Sequence, residues 1–342
     1  MRILKLKKKD LKKFLESTSS FGEFWTPVQK GERYAFSKAA VEDVDPDAGR
    51  TILPLKKFMV PQQLTMFKYD RKGYQEQLEN IQNRVVFGAH SCDIAGLSIL
   101  DKLFTQNYPD PYYIERRKRT AIIGLSCMPD KYCFCNETGT DSVDEGFDLF
   151  LSEVGSDFYL VWVGSSLGDD LTRKAEEVFD ENVSSEDIQK FASWKKKREG
   201  TFKLDINLAA MPSIYELNLT NKVWDKIGDR CLACGSCSMV CPTCNCYNVT
   251  DTVALTEIKG SRDRAWDSCT LCEYSLVAGG HNFRATRADR LKLWYTHKLE
   301  AFVGAYGKPS CVGCGRCLIS CPVDINVYTV SKTLRDEEAF FK

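Results

Sequence analysis

The stretch that decides the fold of the C-terminal third is Cys231-Leu-Ala-Cys-Gly-Ser-Cys-Ser-Met-Val-Cys-Pro, which recurs as Cys311-Val-Gly-Cys-Gly-Arg-Cys-Leu-Ile-Ser-Cys-Pro. Each copy has the spacing C-x2-C-x2-C-x3-C-P, in which a tight loop places three thiolates on three corners of one iron–sulfur cubane. Where two such motifs occur together, the fourth Cys of each binds the other cluster. The repeat therefore predicts two [4Fe–4S] clusters, one held by Cys231, Cys234, Cys237 and Cys321 and the other by Cys311, Cys314, Cys317 and Cys241.

Other residues inside each copy support this chemistry. Gly235 and Gly315 directly follow the second Cys, where a residue without a side chain lets backbone N–H groups approach an anionic cluster. The proline after the fourth Cys ends the loop and sets its exit direction. Zinc is the alternative, because C-x2-C pairs also form structural zinc sites, but zinc needs only four ligands. A third Cys at the same spacing, repeated with its Cys-Pro, favours iron–sulfur clusters.

The composition of the 342-residue chain agrees with a reduced, metal-binding protein. Lys plus Arg and Asp plus Glu both number 47, so charge gives no reason to expect nucleic acid or an anionic membrane as principal partner. No signal-peptide pattern follows the basic N-terminus, and no stretch reaches the ~20 apolar residues that span a bilayer. We therefore expect a cytoplasmic protein without a transmembrane segment. There the 16 cysteines stay reduced, and their clustering points to metal binding.

The N-terminal region has the pattern of a mixed α/β domain. Residues 84–89, 121–125 and 158–163 are short, apolar, β-rich runs of the buried-strand type. Between the first two runs, residues 93–104 carry apolar side chains at helical spacing, which predicts a strand–helix–strand unit with parallel strands. The predicted fold class is α+β overall, with a mixed α/β domain at residues 1–205 followed by a mainly α-helical, ferredoxin-like dicluster domain at residues 206–342.

Further helices are predicted from periodicity at residues 171–180, 185–197, 213–228 and 286–300. The last of these lies between the two cysteine repeats. An insert of this length is too long for a compact bacterial ferredoxin. It is typical of the α-helical type, in which each motif opens onto a helix.

A second set of cysteines lies in the N-terminal domain. Cys92 follows the first predicted strand and Cys127 follows the second, so parallel pairing would bring both to the carboxyl edge of the sheet, where open α/β folds bind ligands. Cys133 and Cys135 come six and eight residues after Cys127 and are close enough to fold back over the same point. We expect a third [4Fe–4S] cluster at Cys92, Cys127, Cys133 and Cys135. The alternative is that Cys92 and Cys127 are small buried hydrophobic residues.

Four cysteines remain, and their spacing matches no cluster pattern that we can justify. They could hold a fourth cluster or zinc, surround the first cluster without binding it, or lie in loops without a ligand role. We favour the interpretations without a ligand role for Cys244, Cys246, Cys269 and Cys272.

Long motifs run through both halves of the chain. They include Phe87-Gly-Ala-His-Ser-Cys-Asp-Ile, Gly124-Leu-Ser-Cys-Met-Pro-Asp-Lys-Tyr-Cys-Phe-Cys, Cys241-Pro-Thr-Cys-Asn-Cys, Trp266-Asp-Ser-Cys and Val277-Ala-Gly-Gly-His-Asn-Phe-Arg. With them, nearly the whole chain resembles the iron–sulfur beta subunits of soluble sulfhydrogenases, together with the corresponding iron–sulfur subunits of anaerobic sulfite reductases. Cys272 does not look like a regular feature of this family, which further weakens a fourth cluster.

The resemblance implies a non-catalytic electron-transfer subunit of a heteromeric oxidoreductase of anaerobic metabolism. In such complexes the subunit passes electrons through its [4Fe–4S] clusters, between a flavin-containing subunit that reacts with NAD(P)H and a catalytic subunit. The catalytic subunit can be of the hydrogenase, sulfite reductase or heterodisulfide reductase type. No dinucleotide fingerprint or P-loop occurs in the chain itself. The alternative is a catalytic subunit that binds flavin or reduces sulfur compounds in a crevice of the N-terminal domain, and a structural zinc module is a third interpretation.

Overall fold

The computed structural model describes residues 1–78, 81–155, 157–208 and 210–335, and the strands and helices named below lie within these ranges. The strands are β1 Arg2–Lys7, β2 Glu23–Lys30, β3 Arg33–Lys38, β4 Gln63–Asp70, β5 Gly73–Glu76, β6 Arg84–Ala89, β7 Thr120–Leu125, β8 Leu149–Glu153, β9 Phe158–Val163, β10 Phe179–Asp180, β11 Tyr247–Val253 and β12 Lys259–Trp266. The α-helices are α1 Leu11–Ser17, α2 Lys56–Met59, α3 Ser91–Thr105, α4 Pro111–Lys118, α5 Ser166–Arg173, α6 Ser185–Glu199, α7 Met211–Leu217, α8 Val223–Arg230, α9 Ser236–Met239, α10 Arg287–Thr296, α11 Phe302–Tyr306, α12 Arg316–Ser320 and α13 Val327–Arg335. A π-helical segment, His297–Ala301, joins α10 to α11.

Two compact units divide the chain. Unit 1 consists of Met1–Val60, Leu78–Asp130 and Thr140–Phe202. Unit 2 consists of Pro61–Gln77, Lys131–Gly139 and Lys203–Lys342. Helices and sheets are both present, which confirms the α+β class. None of the helices in the described ranges has both the length and the apolar character that crossing a bilayer requires.

Unit 1 is built on an eight-stranded mixed sheet with the order β10-β1-β9-β8-β7-β6-β2-β3. Its centre contains the predicted strand–helix–strand unit: β6 and β7 pair in parallel, with α3 between them in sequence. Every residue of β7 is buried, as expected for a strand covered on both faces. The predictions of these two strands, of the strand at β9 and of the helix at α3 are confirmed.

Two predicted helices need correction. Residues 171–180 do not form one helix, because α5 ends at Arg173 and β10 pairs with β1. Phe179 of β10 packs edge-on against Phe14 with ring centroids 5.0 Å apart, so burial at the sheet edge overrides the helical pattern. Residues 213–228 form two helices instead of one. The break between α7 and α8 is held by Asn218 and Asn221, whose side chains hydrogen-bond each other at 2.8 Å.

Unit 2 combines a helical core with a four-stranded antiparallel sheet in the order β11-β12-β4-β5. The sheet was not predicted, and the expectation of a mainly helical domain is not confirmed. The helical core contains buried aromatic residues of α7, α8 and α10, with Tyr215, Trp224 and Tyr295 among the most buried side chains. The aromatic core lies directly beside cysteines of both repeats.

Trp224→Ala is expected to lower the free energy of unfolding by about 3–5 kcal/mol. The Trp224 ring packs against Tyr215 and Tyr295 at centroid distances of 6.3 and 6.0 Å, and its Nε1 donates to the Asn218 carbonyl at 2.8 Å. Equilibrium unfolding in urea under anaerobic conditions measures the change. The matched control is Leu217→Ala, because Leu217 is 83% exposed and its loss should change stability by less than about 0.5 kcal/mol. Equal stability of both variants would contradict this role of Trp224.

Candidate metal centres

Both cysteine repeats fold into the same local structure in unit 2. In the first, the chain leaves α8 at Cys231, turns at Gly235 with φ of +75° and enters the short helix α9. In the second, Gly315 has φ of +71° and opens α12. The left-handed backbone is accessible to glycine at little cost, which explains its position after the second Cys of each repeat.

The first repeat receives its fourth thiol from the second. The Cys237 thiol interacts electrostatically with those of Cys231, Cys234 and Cys321. Burial, followed by these neighbouring thiols, raises the pKa of Cys237 to about 12. The structure therefore brings together the set that we call the first quartet: Cys231, Cys234, Cys237 and Cys321.

The second repeat correspondingly receives Cys241 from the first. Burial raises the pKa of the Cys317 thiol well above its usual range, and the neighbouring thiols Cys311, Cys314 and Cys241 act in the same direction. The second quartet thus consists of Cys311, Cys314, Cys317 and Cys241, and it is the more buried of the two. Cys311 and Cys314 are both 8% exposed, whereas Cys234 of the first quartet lies at the surface.

The donor atoms of both quartets fit a [4Fe–4S] cluster. Each quartet supplies four cysteine thiols, the donor set that a [4Fe–4S] cluster takes, although among the described residues no group of three or more His, Cys, Asp or Glu side chains is placed to hold a single metal ion. The Ala233 N–H donates to Cys231 Sγ at 3.3 Å and the Ile325 N–H donates to Cys321 Sγ at 3.2 Å. Such N–H···S bonds favour the thiolate that a cluster requires.

A buried lysine beside the second quartet was missed by the sequence analysis. Lys298 is 4% exposed, and its Nζ donates to Cys241 Sγ at 3.3 Å and to Thr243 Oγ1 at 3.0 Å. Burial alone would lower the pKa of Lys298, but Cys241, Cys244 and Cys311 raise it well above its usual value. Lys on a polar helix normally indicates a solvent-exposed face, so the sequence gives no sign of this arrangement.

Three of the four remaining cysteines also lie close together. A hydrogen bond links the thiols of Cys246 and Cys269 and lowers the pKa of Cys246 to about 6. The same bond, followed by burial and the Cys246 and Cys244 charges, raises the pKa of Cys269. Cys272 is exposed. The prediction that these residues have no ligand role stays a prediction.

The four thiols predicted for a third site are divided between the units. Cys92, in the first turn of α3, and Cys127, just after β7, belong to unit 1. Burial would raise the pKa of Cys127, but His90 and Arg198 outweigh it and lower this pKa to about 7. Cys133 and Cys135 belong to unit 2.

In unit 2, the segment containing Cys133 and Cys135 packs against the loop of the second quartet. The N–H of Phe134 donates to the Gly313 carbonyl at 2.9 Å, and the Phe134 side chain is only 1% exposed. The backbone of this segment therefore lies beside the backbone of the second repeat.

A cavity of about 310 Å³ lies within unit 1 beyond the end of β7. Its lining includes the thiol-bearing Cys127 and the aromatic residues Trp162, Phe191 and Trp194. Arg198 closes one side, donating from Nε to the Cys127 carbonyl at 2.6 Å and from Nη1 to Asp141 at 3.0 Å. This volume is at the small end of the ~300–1,000 Å³ typical of ligand pockets.

Comparison with known proteins agrees with this geometry. A family model described as a 4Fe-4S dicluster domain matches residues 230–325, which contain both quartets. The beta subunit of sulfhydrogenase 2 from Pyrococcus furiosus is 41% identical over 337 residues, a match that covers 98% of this chain and 99% of that protein. No solved structure shows a significant match. The chain thus belongs to the family of iron–sulfur beta subunits of sulfhydrogenases.

Proposed function

We propose that this chain is the electron-transfer subunit of a cytoplasmic, multi-subunit oxidoreductase. It would relay electrons between a flavin-containing, NAD(P)H-reactive subunit and a catalytic subunit of the hydrogenase, sulfite reductase or heterodisulfide reductase type. The observation that supports this most is that thiols of the two repeats lie close enough to interact electrostatically, Cys321 with Cys237 and Cys241 with Cys317. A [4Fe–4S] cluster takes up and releases one electron at a time.

The residues of the chain have separable roles in this proposal. The quartets hold the clusters, and the shared cysteines Cys241 and Cys321 fix the distance between them. Cys234, at the surface, marks the side on which electrons exchange with a partner subunit. The buried cysteines Cys311 and Cys314 keep water from the second cluster. We also propose the ferredoxin-like description for this region, because each repeat opens onto a short helix, α9 or α12.

We test the relay with the complex purified anaerobically, in which companion subunits are identified by mass. The isolated chain should contain iron and acid-labile sulfide but should not reduce a viologen dye with NAD(P)H. Adding back the flavin-containing companion should restore dye reduction through the chain. Recovery of the chain from its native source as a lone monomer would contradict the proposal.

A third cluster at Cys92, Cys127, Cys133 and Cys135 extends the proposed relay. Its support in unit 2 is limited to the backbone of the Cys133–Cys135 segment, which packs against Gly313 of the second repeat. Cys133→Ala is then expected to lower the iron content from about twelve to about eight atoms per chain. Iron and sulfide analysis measures this, with Cys272→Ala as the control that should leave the content unchanged. An unchanged iron content in Cys133→Ala would remove the third cluster from the proposal.

The alternative function is that of a catalytic subunit, and the cavity of unit 1 is the observation that favours it. Cys127 and the aromatic residues of the lining would contact a small substrate there. The volume of about 310 Å³ favours a small sulfur compound over a flavin dinucleotide. Reduction of a sulfur compound by the isolated, chemically reduced chain, abolished by Cys127→Ala, would support this alternative. The relay proposal predicts no such turnover.

A further inference from the structure

Lys298 places a positive charge inside unit 2, in contact with the sulfur atom of Cys241. Its ammonium contacts Cys241 Sγ, Thr243 Oγ1 and the face of the Trp294 ring, whose centroid is 5.2 Å away. In the part of the chain that the structure describes, no carboxylate forms an ion pair with it. Burying an ammonium without an anion is costly, so its position is explained by a negatively charged group at the second quartet.

The backbone of Lys298 is tied to the same quartet. Its carbonyl accepts a hydrogen bond from the N–H of Ser310, at 3.0 Å, and Ser310 directly precedes Cys311. Lys298 lies in the π-helical segment His297–Ala301, and such single-turn widenings of a helix occur frequently at functional sites. Lys298 therefore hydrogen-bonds to Cys241 through its side chain and to Ser310, at the start of the second repeat, through its backbone.

The first quartet is surrounded differently. Backbone N–H groups donate to sulfur in both quartets, at Cys231 and Cys321 in the first and at Cys311 and Cys317 in the second. The difference is the ammonium of Lys298 on Cys241 of the second quartet. A cation that acts on the first quartet is Arg287, which is exposed and donates to the Cys231 carbonyl rather than to sulfur. Solvent screens an exposed charge, so Arg287 has a weaker electrostatic effect than a buried ammonium.

Two opposing effects therefore act on the second quartet. Reduction would add one negative charge to a bound cluster, and burial disfavours that charge. This effect is larger at the second quartet, because Cys311 and Cys314 are buried whereas Cys234 of the first quartet is exposed. A charge-assisted N–H···S hydrogen bond acts in the opposite direction, because hydrogen bonds to sulfur and local charge set cluster potentials.

We propose that Lys298 is a positioning residue that makes the cluster of the second quartet easier to reduce, by donating a charge-assisted hydrogen bond to Cys241. This inference rests on the proposed function, since it requires a cluster at each quartet. The electron comes from the donor subunit, no covalent bond forms or breaks, and Lys298 keeps its proton.

The test is a potentiometric titration of the anaerobically purified complex, with the EPR signal of each cluster followed separately. We compare the proteins at the potential where the second cluster of the wild type is half reduced. At this potential the second cluster of Lys298→Met should have a ratio of reduced to oxidised form about tenfold lower than that of the wild type. The first cluster should change much less. Lys298→Arg, which keeps the charge, should recover most of the wild-type ratio, and Lys292→Met on α10 is the control for loss of a lysine away from sulfur.

A Lys298→Met variant that keeps its iron and titrates as the wild type does would overturn the inference and leave the relay intact. If the Lys298→Met variant loses iron instead, its titration is uninformative, and the inference is tested on the wild-type protein by pulsed EPR. With ¹⁵N at the lysine Nζ, pulsed EPR of the reduced second cluster should show a ¹⁵N coupling that Lys298→Arg abolishes. No coupling would overturn the inference. A wild type that lacks one of the two cluster signals would contradict the proposed function itself.

Discussion

The double variant Cys237→Ala/Cys321→Ala is expected to lose about four iron atoms per chain, no more than either single variant loses. The reason is that both thiols belong to the first quartet, although they come from different repeats. By contrast, Cys317→Ala/Cys321→Ala removes one ligand from each quartet and should lose about eight iron atoms. Iron and acid-labile sulfide analysis after anaerobic purification measures both losses.

The comparison also discriminates between the two ways of pairing the repeats. If each repeat held its own cluster, the two double variants would exchange their results, because Cys317 and Cys321 would then share one cluster. A loss of about eight iron atoms in Cys237→Ala/Cys321→Ala and of about four in Cys317→Ala/Cys321→Ala would therefore contradict quartets that combine cysteines of both repeats. Circular dichroism of each variant is the control for global folding, since loss of the fold would remove iron for another reason.

Gly313→Ala is expected to lower the free energy of unfolding by roughly 2–3 kcal/mol and to lower the iron content of the second quartet. A Cβ atom at Gly313 would lie 2.4 Å from the Phe134 carbonyl oxygen and 2.5 Å from the Cys135 backbone. These are backbone atoms in a segment held by the buried Phe134 ring, so they cannot move aside cheaply. Thermal unfolding and iron analysis measure the two effects.

The other repeat provides a matched control. Ala233 occupies the position equivalent to Gly313 and has a similar left-handed backbone, with φ of +51° against +59°. Alanine is therefore accepted in this conformation, and the expected damage at Gly313 comes from the contact with the Cys133–Cys135 segment. Ala233→Gly should leave stability and iron content nearly unchanged. Equal effects of the two substitutions would show that backbone conformation, and not this contact, requires glycine at residue 313.

The parts of the fold that could be predicted are those with a local signal. β7 is apolar at nearly every position and buried throughout, and α3 shows its buried face at helical spacing. β1 was not predicted, because its buried Leu4 and Leu6 alternate with basic residues and are inconspicuous in a basic N-terminus. The pairing of β4 with β12 joins segments far apart in the sequence, and no local pattern indicates such a partner.

The same distinction applies to the site. Motif spacing predicts three cysteines of each quartet, because they lie within one loop, and the fourth follows from the pattern of two-cluster proteins. The hydrogen bond between Lys298 and Cys241 joins residues that are 57 positions apart in the chain. It forms because the helical segment between the repeats packs next to Cys241, and no local pattern indicates this. The contact of Phe134 with Gly313 likewise depends on a short segment that joins unit 2 from the middle of the sequence.

The sharing of cysteines between the repeats has a consequence for how the protein is made. A ribosome synthesises residue 241 well before residue 321, yet the first quartet needs Cys321 and the second needs residues 311–317. With the ligands proposed above, neither cluster can gain its full set while the second repeat is still inside the ribosome. Cluster insertion would therefore follow synthesis of nearly the whole chain, and a truncated product that ended between the repeats would hold neither cluster.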